Sequence, residues 1–206
     1  MVIRPSKQPH DRDEKQIFMQ RNLFSQEVSD DLKRSGLTVQ DALTQGWYEK
    51  DGNLHIPYLN GTGFERIRFT VPREYIKNGN THYQRYWQPK GSKPELYLPR
   101  IGSIDWDAVK SNPEVTLYIT EGEKKAAAAC KCGLPFIGLG GVDCWSSRGI
   151  PLPQWDEFNL KDREVVIVFD SDIVDKPAVQ SAERRLAHML SLRGAKLFRI
   201  RLGDAS

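Results

Sequence analysis

Leu117-Tyr118-Ile119-Thr120-Glu121-Gly122-Glu123-Lys124-Lys125-Ala126 and Val165-Val166-Ile167-Val168-Phe169-Asp170-Ser171-Asp172 are the stretches whose reading decides the fold. Each opens with a short apolar run of the kind a strand covered on both faces requires, and each run ends in acid. In an open α/β sheet the loops at the carboxyl ends of parallel strands are where ligands bind. Carboxylates there are costly for folding and useful for chemistry. If the two strands are neighbours, Glu121, Asp170 and Asp172 converge, and three converging carboxylates suit a hard divalent cation, Mg²⁺ first.

Outward from these runs the rhythm is strand, helix, strand, loop, strand, helix, strand. The expected elements are Val115–Thr120, Glu123–Lys131, Phe136–Leu139, Val165–Phe169, Ala178–Leu192 and Lys196–Arg201, with Gly194 ending the last helix. Strands alternating with helices predict a parallel sheet flanked by helices. Gly122 lets the chain turn tightly between the strand and the helix, whose exposed amides favour the negative charge of Glu121. Lys124 and Lys125 follow on that helix, either to touch a phosphate, to pair with an acidic neighbour or to form a solvated face. Gly140 and Gly141, after the Phe136–Leu139 strand, read as a tight turn with a phosphate-contacting role, although the Walker lysine and the full dinucleotide fingerprint are absent.

Upstream the character changes. Ser25 to Thr44 reads as one or two short helices broken at Gly36, with Thr38-x-x-Asp41 as a cap. Leu54, Ile56 and Tyr58 alternate, Asn60-Gly61 signals a hairpin, and Phe64, Ile67 and Phe69 begin a return strand, giving a small α+β unit with antiparallel strands. Residues 1–20 are a polar lead-in, 21–100 the α+β unit, 101–114 the connector, within a Pro-, Gly- and Ser-rich stretch that runs from Pro89 to Pro113, and 115–206 the α/β unit.

The Glu-Gly-x-x-Lys-Ala pattern from Glu121 and the Asp170-x-Asp172 pair after a later strand resemble the Toprim domain of bacterial-type primases, topoisomerases and related nucleases. Ahead of them stand His55-Ile56-Pro57-Tyr58, then Gly63-Phe64-Glu65-Arg66-Ile67-Arg68-Phe69, then Arg85-Tyr86-Trp87-Gln88-Pro89-Lys90-Gly91-Ser92. That order resembles the subdomain preceding Toprim in bacterial-type DNA primases, as in plasmid and phage replication proteins. The resemblance implies a Toprim fold and metal-dependent synthesis of RNA primers on a single-stranded DNA template. It implies Glu121, Asp170 and Asp172 as the catalytic metal ligands, Mg²⁺ or Mn²⁺ as cofactor, nucleoside triphosphates as substrates and a replicative helicase as a partner. A Toprim nuclease using the same metals on water, and an inactive DNA-binding module of a replication or defence complex, stay open. The haloacid-dehalogenase phosphatase signature also fits Asp170-x-Asp172, but only 34 residues follow Asp172, too few for that family's remaining groups.

Two departures stand out. Bacterial-type primases carry a further acid where this chain has Lys125. They also continue beyond the equivalent of Leu197–Leu202 into another acidic loop, whereas this chain ends Gly203-Asp204-Ala205-Ser206. The expectation is a boundary inside a longer parent, with one metal-holding carboxylate beyond it.

Composition sets the bounds. In 206 residues, 39% hydrophobic, there is material for a folded core, and no apolar run approaches the ~20 residues of a membrane span. With a charged N-terminus and no signal-peptide core, a cytoplasmic protein is expected. The net charge of +3 says little by itself. Between Gly61 and Arg100, however, eight cations face only Glu65, Glu74 and Glu95. Arg66, Arg68, Arg85 and Lys90 are the expected DNA-binding residues, while the interleaved rings are expected in the β core. Cys130, Cys132 and Cys144 have no zinc-ligand spacing and read as reduced packing residues.

Overall fold

A computed structural model describes residues 23–170 and 176–201. The chain divides into two compact units, the first comprising Met1–Ile56 and Arg66–Trp87, the second Pro57–Glu65 and Gln88–Ser206. The expected lead-in over residues 1–20 and the loop holding Asp172 lie outside the described residues. Among the described residues no helix is long and apolar enough to cross a membrane.

The first unit opens with helices α1 (Gln26–Lys33) and α2 (Val39–Thr44). The Ser25 hydroxyl accepts from the Val28 amide, and Thr38 and Asp41 form a reciprocal capping box, the stop and start that Gly36 and Thr38 predict. Strands β1 (Tyr48–Lys50), β2 (Asn53–Pro57), β3 (Glu65–Lys77) and β4 (Asn80–Trp87) follow in sheet order β1-β2-β3-β4. The β1–β2 and β3–β4 pairs are antiparallel. The alternation expected at Leu54, Ile56 and Tyr58 is not kept, because His55 is buried with its neighbours and stacks on Tyr48 at 4.8 Å. Asn60-Gly61 belongs to a longer loop. The tight hairpin turn is Asn78-Gly79, whose φ values of 52° and 77° are both positive, as a two-residue turn between twisted strands requires.

The second unit is built on a five-stranded sheet in the order β11 (Lys196–Arg201), β10 (Glu164–Phe169), β6 (Leu117–Glu121), β7 (Phe136–Leu139), β5 (Leu96–Tyr97). β6, β7, β10 and β11 are mutually parallel. β5 pairs antiparallel with β7 at one edge. The stretch expected as a bare connector therefore contributes a strand, and it also holds helix α3 (Trp106–Ser111), capped by the Asp105 carboxylate. Helix α4 (Glu123–Lys131) joins β6 to β7, and α5 (Pro177–Leu192) joins β10 to β11. Between β7 and β10 lie the short strands β8 (Ser146–Ser147) and β9 (Ile150–Pro151) and a 3-10 turn at Pro153–Glu157.

Strand alternation explains the layers. Leu117, Ile119, Ile137, Leu139, Val165, Ile167 and Phe169 face one way and pack with Leu186 and Leu190 of α5, Val109 of α3 and the rings of Trp145, Trp155 and Phe158. Gly138, one residue out of phase, faces the other way, and a Cβ there would lie 3.1 Å from the Ala126 methyl of α4. Helices thus cover both faces, which is why β6 and β10 are apolar almost throughout. Arg163 is buried where β10 begins and donates to the Val115, Val109 and Asn159 carbonyls, and burial pushes its pKa down.

Candidate metal centre

β6 lies directly between β7 and β10, so Glu121, at the end of β6, and Asp170, just beyond β10, share one sheet edge. The register makes this concrete: Thr120 is level with Val168, and Glu121 is level with Leu139. Gly140 and Gly141 follow Leu139 at the same edge. The adjacency expected of the two acidic runs is therefore present.

Gly122 makes the turn, at φ 89° and ψ 139°, a conformation that L side chains avoid. Its amide donates to the Leu139 carbonyl at 2.7 Å, tying the start of α4 to the end of β7. From there the helix carries Lys125 back over the strand ends. The Lys125 ammonium lies 2.5 Å from both Asp170 carboxylate oxygens and 3.8 Å from Glu121 Oε1. Glu121, Lys125 and Asp170 are all partly exposed, with side chains 30%, 44% and 41% accessible.

Successive residues of a helix point about 100° apart, and the neighbours of Lys125 differ from it accordingly. Of the two lysines expected as phosphate contacts, Lys124 is buried and Lys125 is exposed and paired with Asp170. Glu123 is fully buried and accepts a 2.7 Å hydrogen bond from the Tyr58 hydroxyl. Tyr58 in turn packs edge-on against Phe64 and Tyr97, at 4.7 and 4.9 Å. Glu123 and Tyr58 were not among the expected site residues: Glu123 stood only as the first residue of an expected helix and Tyr58 as one position of an alternating strand. The signal lay in Ile56-Pro57-Tyr58, which brings a hydroxyl to the helix that positions Lys125.

Among the described residues no three His, Cys, Asp or Glu side chains gather as a metal-binding group; Asp172, the expected third ligand, lies outside them. Glu121 and Asp170 still fit a divalent cation, because their oxygens are hard donors and already hold one cationic group, the Lys125 ammonium, between them.

The expected DNA-binding residues divide sharply. Arg66 is buried, its guanidinium 4.7 Å from the Tyr86 ring centroid. Arg68 is a core ion pair: Nε and Nη2 donate to Asp31 at 2.5 and 2.6 Å. Burial is the largest influence and opposes its charged form, but the hydrogen bond and charge of Asp31 together with the neighbouring Tyr86 hydroxyl outweigh it and hold the pKa above the usual arginine value. Arg68 is held inside the first unit by its pair with Asp31 of α1, and Arg66 is buried against Tyr86 of β4. Arg85 and Lys90 are exposed.

A family described as a domain of unknown function (DUF3854) matches residues 105–205. An uncharacterized protein of Picosynechococcus sp. is 29% identical over 125 residues, which cover 54% of this chain and 12% of that protein. The chain thus spans about an eighth of the length of the curated relative it matches. No solved structure matches it significantly.

Proposed function

We propose that this chain is the catalytic portion of a Toprim-type DNA primase, joining ribonucleoside triphosphates into primers on a single-stranded DNA template. The observation that carries the reading is the meeting of Glu121 and Asp170, from the ends of adjacent parallel strands, on a single cation. Glu121 and Asp170, with Asp172, would hold Mg²⁺. The bound ion would supply Lewis-acid activation of the attacking hydroxyl and neutralise the leaving pyrophosphate.

The chain's own groups have distinct tasks. Glu121 and Asp170 fix negative charge at the sheet edge, where helix α4 begins. Lys125 balances that charge and has the length to turn towards a triphosphate oxygen when another cation takes its place. Gly140 and Gly141 keep the neighbouring strand end free of side chains, so that a phosphate can approach the backbone. Tyr58 and Glu123 anchor the first turn of α4 and so set where Lys125 starts. Position and charge are most of what phosphoryl transfer asks of a protein.

The test is incubation of the protein with single-stranded DNA, Mg²⁺ or Mn²⁺ and labelled ribonucleotides, with Asp170→Asn as control. New oligoribonucleotides that vanish in the variant support the reading. Shortened DNA assigns the same centre to a nuclease, and neither product leaves a binding module.

A further inference from the structure

We propose that one face of strand β4 is a stacking platform for single-stranded DNA, built from Tyr83, Arg85 and Trp87. This rests on the template-binding reading above and names the surface that serves it. β4 is the edge strand of the first unit's sheet. Alternate residues of a strand share a face, about 7 Å apart, so these three form a row of ring, cation and ring. The opposite face is identified by its pairs: Tyr86 with Arg68 and Gln84 with Arg73.

The row is open. Tyr83 is 67% and Trp87 38% accessible, and Arg85 is exposed, with no hydrogen-bond or ion-pair partner among the described residues. Two large rings left in water on one strand face mark a surface that something covers. The charge says what. From Arg66 to Trp87 there are five cations and one acid, Glu74. With Arg66 and Arg68 turned inward, Arg73, Lys77 and Arg85 remain exposed. Glu74 lies opposite Tyr83, towards the turn. Aromatic faces alternating with a cation fit unstacked bases and the phosphates between them, and a duplex offers its bases to neither ring.

The experiment is fluorescence anisotropy of the full chain with a labelled oligothymidylate of about 20 nucleotides, longer than common single-strand site sizes, in EDTA over a range of salt. Tyr83→Ala and Trp87→Ala should each weaken binding about tenfold, with the salt slope unchanged. Tyr83→Phe and Trp87→Phe keep a ring and should bind nearly as wild type. Arg85→Gln should reduce the slope of log K against log salt by ~0.7. Tyr75→Ala, on the other face of the ribbon, should change nothing. Ring deletions that bind as wild type overturn the proposal, as does equal affinity for the duplexed oligonucleotide, tighter binding of the matching oligouridylate, or a Trp87 covered by self-association. Because EDTA removes the metal, failure of the catalytic reading leaves these results standing. Primer synthesis with binding unaffected by the ring variants would reject the platform alone.

Discussion

Lys125 sets the charge balance at the sheet edge. With its ammonium 2.5 Å from Asp170 and 3.8 Å from Glu121, it offsets the repulsion between the two carboxylates. An Mg²⁺ ion held as proposed by Glu121 and Asp170 would have to compete with it. Thermal melts with and without Mg²⁺ should therefore rank the gain as Lys125→Ala above wild type above Asp170→Asn, with saturation at 100 times Kd worth about 2.7 kcal/mol. An equal gain in Asp170→Asn would place the ion elsewhere. Cys130 permits a second test. Burial pushes its thiol up to about 11, against a weaker opposing contribution from its contact with the Phe136 backbone. The unfolded thiol ionises near its ordinary value of 9.0. Stability from this group is thus intact below that pH and is lost as pH rises through the folded value. Wild type should lose roughly 2 kcal/mol more than Cys130→Ala between those limits, read by urea denaturation at a series of pH values.

At the scale of elements, two glycines separate close approach from backbone conformation. Gly102 precedes α3 at φ 71°, and a Cβ there would sit 2.2 Å from the Cys130 carbonyl oxygen at the end of α4. Gly122 has φ 89° and open space around the same position. Gly122→Ala should cost about 1–2 kcal/mol from conformation alone, and Gly102→Ala at least ~2 kcal/mol more, because backbone has to move. Urea midpoints at unchanged slope would show the difference, and equal losses would refute the steric argument. Elements also show what was legible. The expected spans Glu123–Lys131 and Phe136–Leu139 match α4 and β7, because a doubly covered strand and an alanine-rich helix declare themselves locally. β5 did not, since two residues amid prolines carry no period and are made a strand by β7 alone. Asn78-Gly79 carried the same signature as Asn60-Gly61; pairing across β3 and β4 decides between them.

Across the whole molecule, a sequence shows how many cations a stretch carries but not which way they face. The convergence of Glu121 and Asp170 followed from strand order and was legible; the roles of Arg66 and Arg68 were not, because a buried Asp31 more than thirty positions away determines where Arg68 goes. Arg68→Gln should accordingly cost about 2–4 kcal/mol by taking its two-pronged cationic partner from the buried Asp31. Arg85→Gln should stay within about 0.5 kcal/mol of wild type. Chemical denaturation of both variants checks the contrast. The rings divide in the same way: Phe64 and Phe69 are buried as expected and Tyr86 lies beneath the arginines, whereas Tyr83 and Trp87 are in water.

The central place of β6 has a consequence for how the chain reaches this structure. Tyr118 finds Phe136 across the short α4 crossover, whereas Leu117 finds Val165 only after the far longer excursion through β8, β9 and the 3-10 turn. Closing the shorter loop sacrifices less chain entropy, so β6, α4 and β7 should assemble first and β10 should dock onto them after the rate-limiting barrier. Ile137→Val should then slow refolding, and Ile167→Val, of similar equilibrium cost, should chiefly hasten unfolding. Stopped-flow chevrons of the two variants would read that order directly, and a reversed pattern would mean that the long excursion closes before the barrier is crossed.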